Sequence, residues 1–88
     1  MLSPQERVCR LGGREVPLTR LEFDLLLYFL RQVNRVLTRG VILESVWRGD
    51  PAMTTRTVDK HVETLRKKLG AFGKKLETVI RMGYIFKA

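Results

Sequence analysis

The spacing of apolar residues changes along the chain, and each change marks an element. Residues 7–11 and 14–18 alternate apolar and polar positions around Gly12-Gly13. That pattern predicts two strands joined by a tight turn that accepts positive φ at both central positions. The implied register sets Cys9 opposite Val16 and Arg10 opposite Glu15, with Cys9, Leu11, Val16 and Leu18 on the buried side. Pro17 makes the second strand an edge, or ends it. From Leu21 to Val33 the spacing becomes helical and apolar on most sides, so a central helix is expected. Thr19 and Glu22 stand three apart at its start, the pattern of a capping box, with Leu18 and Phe23 placed as a hydrophobic staple. Asn34 suits a left-handed stop. A shorter helix after Thr38 buries Ile42, Leu43, Val46 and Trp47 and ends at Gly49-Asp50-Pro51. A third runs from Thr54 or Thr55 to Leu69, stopped by Gly70, and buries Val58, Val62, Leu65 and Leu69. Arg56, Thr57, Lys60, Thr64, Lys67 and Lys68 fall on its opposite side, with Asp59, Glu63 and Arg66 along one flank. Glu77–Ile80 and Tyr84–Phe86 form a closing hairpin around Arg81, Met82 and Gly83.

Eighty-eight residues make one compact domain, 1–88. At 44% apolar and 30% charged, the composition is that of a globular protein rather than a disordered tail. No apolar run is long enough to cross a bilayer, nothing at the start resembles a signal peptide, and the single cysteine cannot form an internal disulfide. Cytoplasmic residence is therefore expected, with Cys9 as a small buried hydrophobe. The sequence carries no Gly-rich phosphate loop, paired-carboxylate constellation or nucleophile–base pair, so no enzyme is expected. No second His or Cys stands at zinc-ligand spacing from His61, so no metal or cofactor is expected either.

Charge changes the picture most. Seventeen Lys and Arg oppose nine acids, for a net charge of +8, which favours a polyanionic partner. The segment from Arg56 to Lys75 holds seven cations and two acids, net +5. The excess therefore sits on the third helix and the loop after it. An α-helix fits the major groove of duplex DNA, and a second helix packed across its start is the helix-turn-helix arrangement. On that free face Lys67 and Lys68 would neutralise phosphates, and Thr57 and Thr64 are short enough to approach base edges. Arg81, at the hairpin tip, is placed to enter a minor groove. Asp59 suits a structural pair with a nearby arginine, and Glu63 suits an ion pair with Lys67 four residues on.

Residues 18 to 84 resemble the effector domain of OmpR/PhoB-type response regulators. The stretches that carry the resemblance are Leu18-Thr19-x-x-Glu22-Phe23-x-Leu25-Leu26, Arg35-Val36-Leu37-Thr38-Arg39 and Leu43-x-x-Val46-Trp47. They continue with Arg56-Thr57-Val58-Asp59-x-His61-Val62-x-x-Leu65-Arg66-x-Lys68-Leu69 and Thr78-Val79-x-x-x-Gly83-Tyr84. The resemblance implies an α+β fold: a winged helix-turn-helix with a short N-terminal antiparallel sheet, three helices and a C-terminal β-hairpin wing. It implies sequence-specific binding of double-stranded promoter DNA for transcriptional regulation, as the output domain of a two-component system. The recognition helix would span about residues 55–69 and the wing about 77–87. Arg56, Thr57, Lys60, His61 and Thr64 match groove-facing positions. Arg39, Trp47 and Thr78 match positions that contact or support the phosphate backbone. Residues 48–54 match the family's transactivation loop.

The wing departs from the family pattern. Ile80-Arg81 stands where Arg-Gly is usual, so the arginine has moved one place. The partners implied are promoter DNA, RNA polymerase, a receiver domain in the same full-length protein and a second copy in tandem on DNA. There is no room here for a receiver domain, so the chain is expected to be an effector domain excised from a longer protein, or one that stands alone. Two other classes compete. An RNA- or ribosome-binding protein would expose stacking aromatics, whereas Phe23, Phe29 and Tyr84 fall at core positions. A protein-interaction winged helix would bind with little dependence on salt.

Overall fold

The computed structural model describes residues 2–88. Strands β1 (Leu2–Ser3), β2 (Val8–Leu11) and β3 (Arg14–Val16) form an antiparallel sheet in sequence order. Gly12 and Gly13 both take positive φ, as a two-residue hairpin turn demands, and the register pairs Cys9 with Val16 and Arg10 with Glu15. β3 is an edge strand and stops at Val16, before Pro17. Only Cys9 of this sheet is fully buried; Leu11, Val16 and Leu18 lie half-covered against the core.

Helix α1 (Arg20–Arg31) begins at the capping box. The Glu22 amide donates to Thr19 Oγ1 at 3.2 Å, and the Thr19 amide donates to Glu22 Oε1 at 2.8 Å. Phe23, Leu25, Leu26 and Phe29 form its buried stripe. The helix closes at Gln32 rather than at Asn34. Asn34 does take a left-handed φ of 64°, and it turns the chain instead into a strand, β4 (Val36–Thr38). Thr38 ends β4 and also caps α2 (Arg39–Trp47), accepting from the Val41 amide at 3.1 Å.

Helix α3 (Thr55–Leu69) buries Val58, Val62, Leu65 and Leu69. After Gly70 the chain makes a 3₁₀ turn (Gly70–Lys75), which the apolar spacing does not announce. β5 (Leu76–Val79) and β6 (Gly83–Phe86) form the closing hairpin, starting one residue earlier on each strand than the pattern suggests. This hairpin is not free-standing. β4 pairs with β6, giving a second sheet in the order β4-β6-β5, with Leu37 opposite Tyr84 and Thr38 opposite Gly83. A side chain at residue 83 would collide with the Leu37 carbonyl oxygen, so only glycine lets the two backbones meet. One core, filled from all three helices and both sheets, joins Leu25, Leu26 and Phe29 to Ile42, Val58, Val62, Leu65, Leu76 and Phe86.

Candidate nucleic-acid interface

α3 carries its functional side chains because only one of its faces is apolar. With Val58, Val62, Leu65 and Leu69 inward, the side chains half a turn away must face solvent. Arg56, Lys60, Glu63, Thr64 and Lys67 form that outward stripe, and all are exposed. Lys67 pairs with Glu63 at 3.3 Å, one turn apart on the open surface.

Thr57, His61 and Lys68 occupy one flank rather than the crest. Thr57 is half-buried, and its Oγ1 accepts from the Thr54 amide at 3.5 Å. His61 is half-buried too. Its Nδ1 lies 2.9 Å from the Thr57 carbonyl oxygen, which can only accept, so Nδ1 carries the proton. The same ring meets Trp47 edge-on, with centroids 5.1 Å apart. Trp47 is 8% exposed, and its Nε1 has no partner among the described residues. Lys68 reaches back to α1 and donates to Glu22 Oε1 at 2.6 Å. Glu22 is 4% exposed. Burial pushes its carboxyl up, but the Lys68 and Thr19 hydrogen bonds and the Lys68 charge outweigh this and hold it below the ordinary carboxylate value. Lys68 thus anchors α3 to the capping box of α1.

The other flank is tied to the wing. Asp59 Oδ1 accepts from Arg39 Nε at 2.7 Å and from the Tyr84 hydroxyl at 2.6 Å. Burial raises the Asp59 carboxyl, but those two hydrogen bonds and the Arg39 charge bring it below its usual range. Burial and the Asp59 hydrogen bond push the Tyr84 hydroxyl up. Two helical turns further on, Arg66 Nη2 donates to Thr78 Oγ1 at 2.7 Å. The Arg39 and Arg66 guanidiniums also lie over the Tyr84 ring, at 5.5 and 5.2 Å from its centroid. The arginine expected beside Asp59 is therefore Arg39, at the start of α2. α2 crosses under α3 with Arg39 at one flank and Trp47 at the other.

Arg81 stands exposed at the hairpin tip, in the left-handed region with φ 64°. The structure brings Arg56, Lys60, Thr64 and Lys67 together on one surface. It sets Thr57, His61, Trp47 and Lys68 along one side of that surface, and Arg39, Thr78 and Arg81 along the other. Residue spacing points to an arginine beside Asp59; it does not show that this is Arg39, 20 residues away, or that the Tyr84 hydroxyl, 25 residues away, shares the carboxylate. Burial also pushes the Cys9 thiol up, which disfavours its thiolate.

A basic helix braced between a crossing helix and a β-hairpin defines the winged helix-turn-helix class. Residues 13–86 match the family model described as "Transcriptional regulatory protein, C terminal". The chain belongs to this family, the DNA-binding effector domains of OmpR/PhoB-type response regulators. It is 47% identical over 77 residues to the transcriptional regulatory protein VxrB of Vibrio cholerae, covering 88% of this chain and 31% of that protein. It is 43% identical over 88 residues to the transcriptional regulatory protein YkoG of Bacillus subtilis, covering 98% of this chain and 39% of that one. The chain thus spans about a third of the length of these relatives. Among solved structures, the DNA-binding domain of Bacillus subtilis CssR superposes with a TM-score of 0.86 at 35% identity, covering 97% of this chain and 96% of that one. The Klebsiella pneumoniae RstA DNA-binding domain, solved in complex with the RstA box, gives 0.83 at 31%, covering 98% of this chain and 88% of that one.

Proposed function

We propose that this domain binds duplex DNA sequence-specifically, with α3 in the major groove, and so sets the transcription of the genes beside its site. The observation that carries this is the exposed stripe of Arg56, Lys60, Thr64 and Lys67, braced on both flanks and backed by an apolar face. Such a stripe neutralises phosphates and releases counterions, while Thr64 and Lys60 reach base edges. Thr57 and His61 stand at the shoulder of the stripe and contribute at the groove wall. Arg39, Trp47 and Thr78 act as supports that fix the angle between helix, crossing helix and wing. Lys67 contacts phosphate, Lys68 holds α3 against α1, and Arg81 extends toward the adjacent minor groove. The solved complex of RstA with its box and the family membership support this reading. An RNA-stacking surface gets no support, because among residues 2–88 every aromatic side chain is buried or half-buried.

In a full-length regulator the domain would answer to a receiver domain. It would bind in tandem with a second copy and present residues 48–54 to RNA polymerase. The test is selection from a random duplex library, followed by salt titration of the recovered site. A consensus sequence should emerge, and log K should fall linearly with log salt. Thr64→Ala should relax preference at particular base pairs by roughly 1 kcal/mol or less. Lys67→Ala should weaken all duplexes alike and lower the slope by about 0.9. Recovery of no consensus, or a preference for structured RNA in competition, would overturn the proposal.

A further inference from the structure

The outward stripe of α3 holds one residue of the wrong sign for a surface that meets phosphates. Arg56, Lys60 and Lys67 are cations and Thr64 is neutral, but Glu63 is an acid, and its side chain is 70% exposed. α3 has one other acid, Asp59, and that carboxylate is taken up by Arg39 and Tyr84 on the wing flank. Glu63 has no comparable role in the fold. Its one partner among the described residues is Lys67, 3.3 Å away, and that side chain is 76% exposed. An ion pair this open, one turn apart, contributes little to stability and breaks readily. Duplex DNA makes the acid costly. A carboxylate carried into the groove lies between two rows of phosphates and weakens the attraction that the neighbouring cations supply. That cost is offset only where the carboxylate meets a hydrogen-bond donor.

We infer that Glu63 determines specificity: its carboxylate accepts a hydrogen bond from the N4 amino group of a cytosine in the major groove. This rests on the duplex-binding reading above. The base edges in that groove decide the choice. Guanine presents only acceptors, N7 and O6, which repel a carboxylate. Thymine presents the O4 acceptor and a methyl group. Adenine sets its amino group beside the N7 acceptor, which suits an amide better than a carboxylate. Cytosine presents a donor and no acceptor of its own. Position supports the same choice. Glu63 directly precedes Thr64 and lies three residues beyond Lys60, so the three side chains face the same few base pairs. As the duplex docks, the Glu63–Lys67 pair opens; the carboxylate turns to the base and the Lys67 ammonium to a phosphate. Glu63 thus lowers affinity for duplexes in general and recovers it on one, which widens the gap between target and random sequence.

The experiment selects random duplexes separately on the wild-type chain, Glu63→Ala, Glu63→Gln and Lys67→Ala. Thermal midpoints verify folding, which both Glu63 variants should keep because the side chain is exposed. The wild-type consensus should hold a cytosine at which Glu63→Ala, alone among its positions, loses preference. For the selected duplex over the same duplex with that cytosine replaced by thymine, the affinity ratio should fall about tenfold in Glu63→Ala. Glu63→Gln should shift the position toward adenine, because an amide pairs with adenine N6 and N7. Lys67→Ala should keep the cytosine. If both Glu63 variants recover the wild-type consensus and bind all duplexes more tightly, the acid only tempers the charge of the stripe. The inference is then refuted while the DNA reading stands. It is equally refuted if the base lost in Glu63→Ala is not a cytosine, or if Lys67→Ala loses that cytosine too, for the readout then belongs to the ion pair. If the wild type recovers no consensus, the DNA reading fails and takes this inference with it.

Discussion

Asp59 is the residue on which the geometry of the interface turns. One oxygen accepts from Arg39 and from Tyr84, so a single carboxylate joins α2, α3 and β6. Tyr84→Phe removes one of these bonds while keeping the buried ring. It should cost about 1 kcal/mol in denaturant unfolding. Asp59→Asn keeps the shape but removes the charge that holds Arg39; it should weaken DNA binding by more than it weakens folding. Equal losses in the two assays would show Asp59 to be a fold residue only. Asp59 and Glu22 both have carboxyls held below their ordinary values of 3.8 and 4.5. The folded state binds these protons less readily than the unfolded chain. Their stabilisation is therefore complete above those ordinary values and is lost as pH falls through the lower folded ones. Acid titration followed by circular dichroism should show stability declining below about pH 4, with the decline reduced in a Glu22→Gln variant.

At the scale of elements, what was legible in the sequence depended on how local the deciding contact is. The first hairpin could be read to the register, because two glycines at positive φ leave the strands one way to pair. α1 could be read from Thr19 and Glu22, whose reciprocal bonds span three residues. Thr19→Ala should cost about 1 kcal/mol of stability in thermal unfolding. The limits of α3 were legible for the same reason. β4 was not, because Val36-Leu37-Thr38 is too short to show a period and its partner β6 lies far along the chain. Nor was the side on which Lys68 lies. Spacing puts it near the outward face, but its long side chain bends to Glu22, 46 residues away. Gly83→Ala measures the unforeseen β4–β6 contact. Its added methyl would meet the Leu37 carbonyl oxygen, so the loss of stability should be well above the ~1 kcal/mol of a typical substitution.

The whole molecule divides into two surfaces. The N-terminal sheet and α1 form one side, and Arg7 docks the sheet on α1 through an ion pair to Asp24 at 2.6 Å and a stack on Phe23 at 4.6 Å. α3 and the wing form the other, and the excess charge from Arg56 to Lys75 lies there. The most direct test of that division is a heteronuclear NMR titration of the 88-residue chain with its selected duplex at low salt. The largest shifts are expected at Arg56, Lys60, Thr64 and Lys67, with a second group at residues 80–82. Shifts concentrated on β1–β3, or none on adding equimolar duplex, would contradict the account.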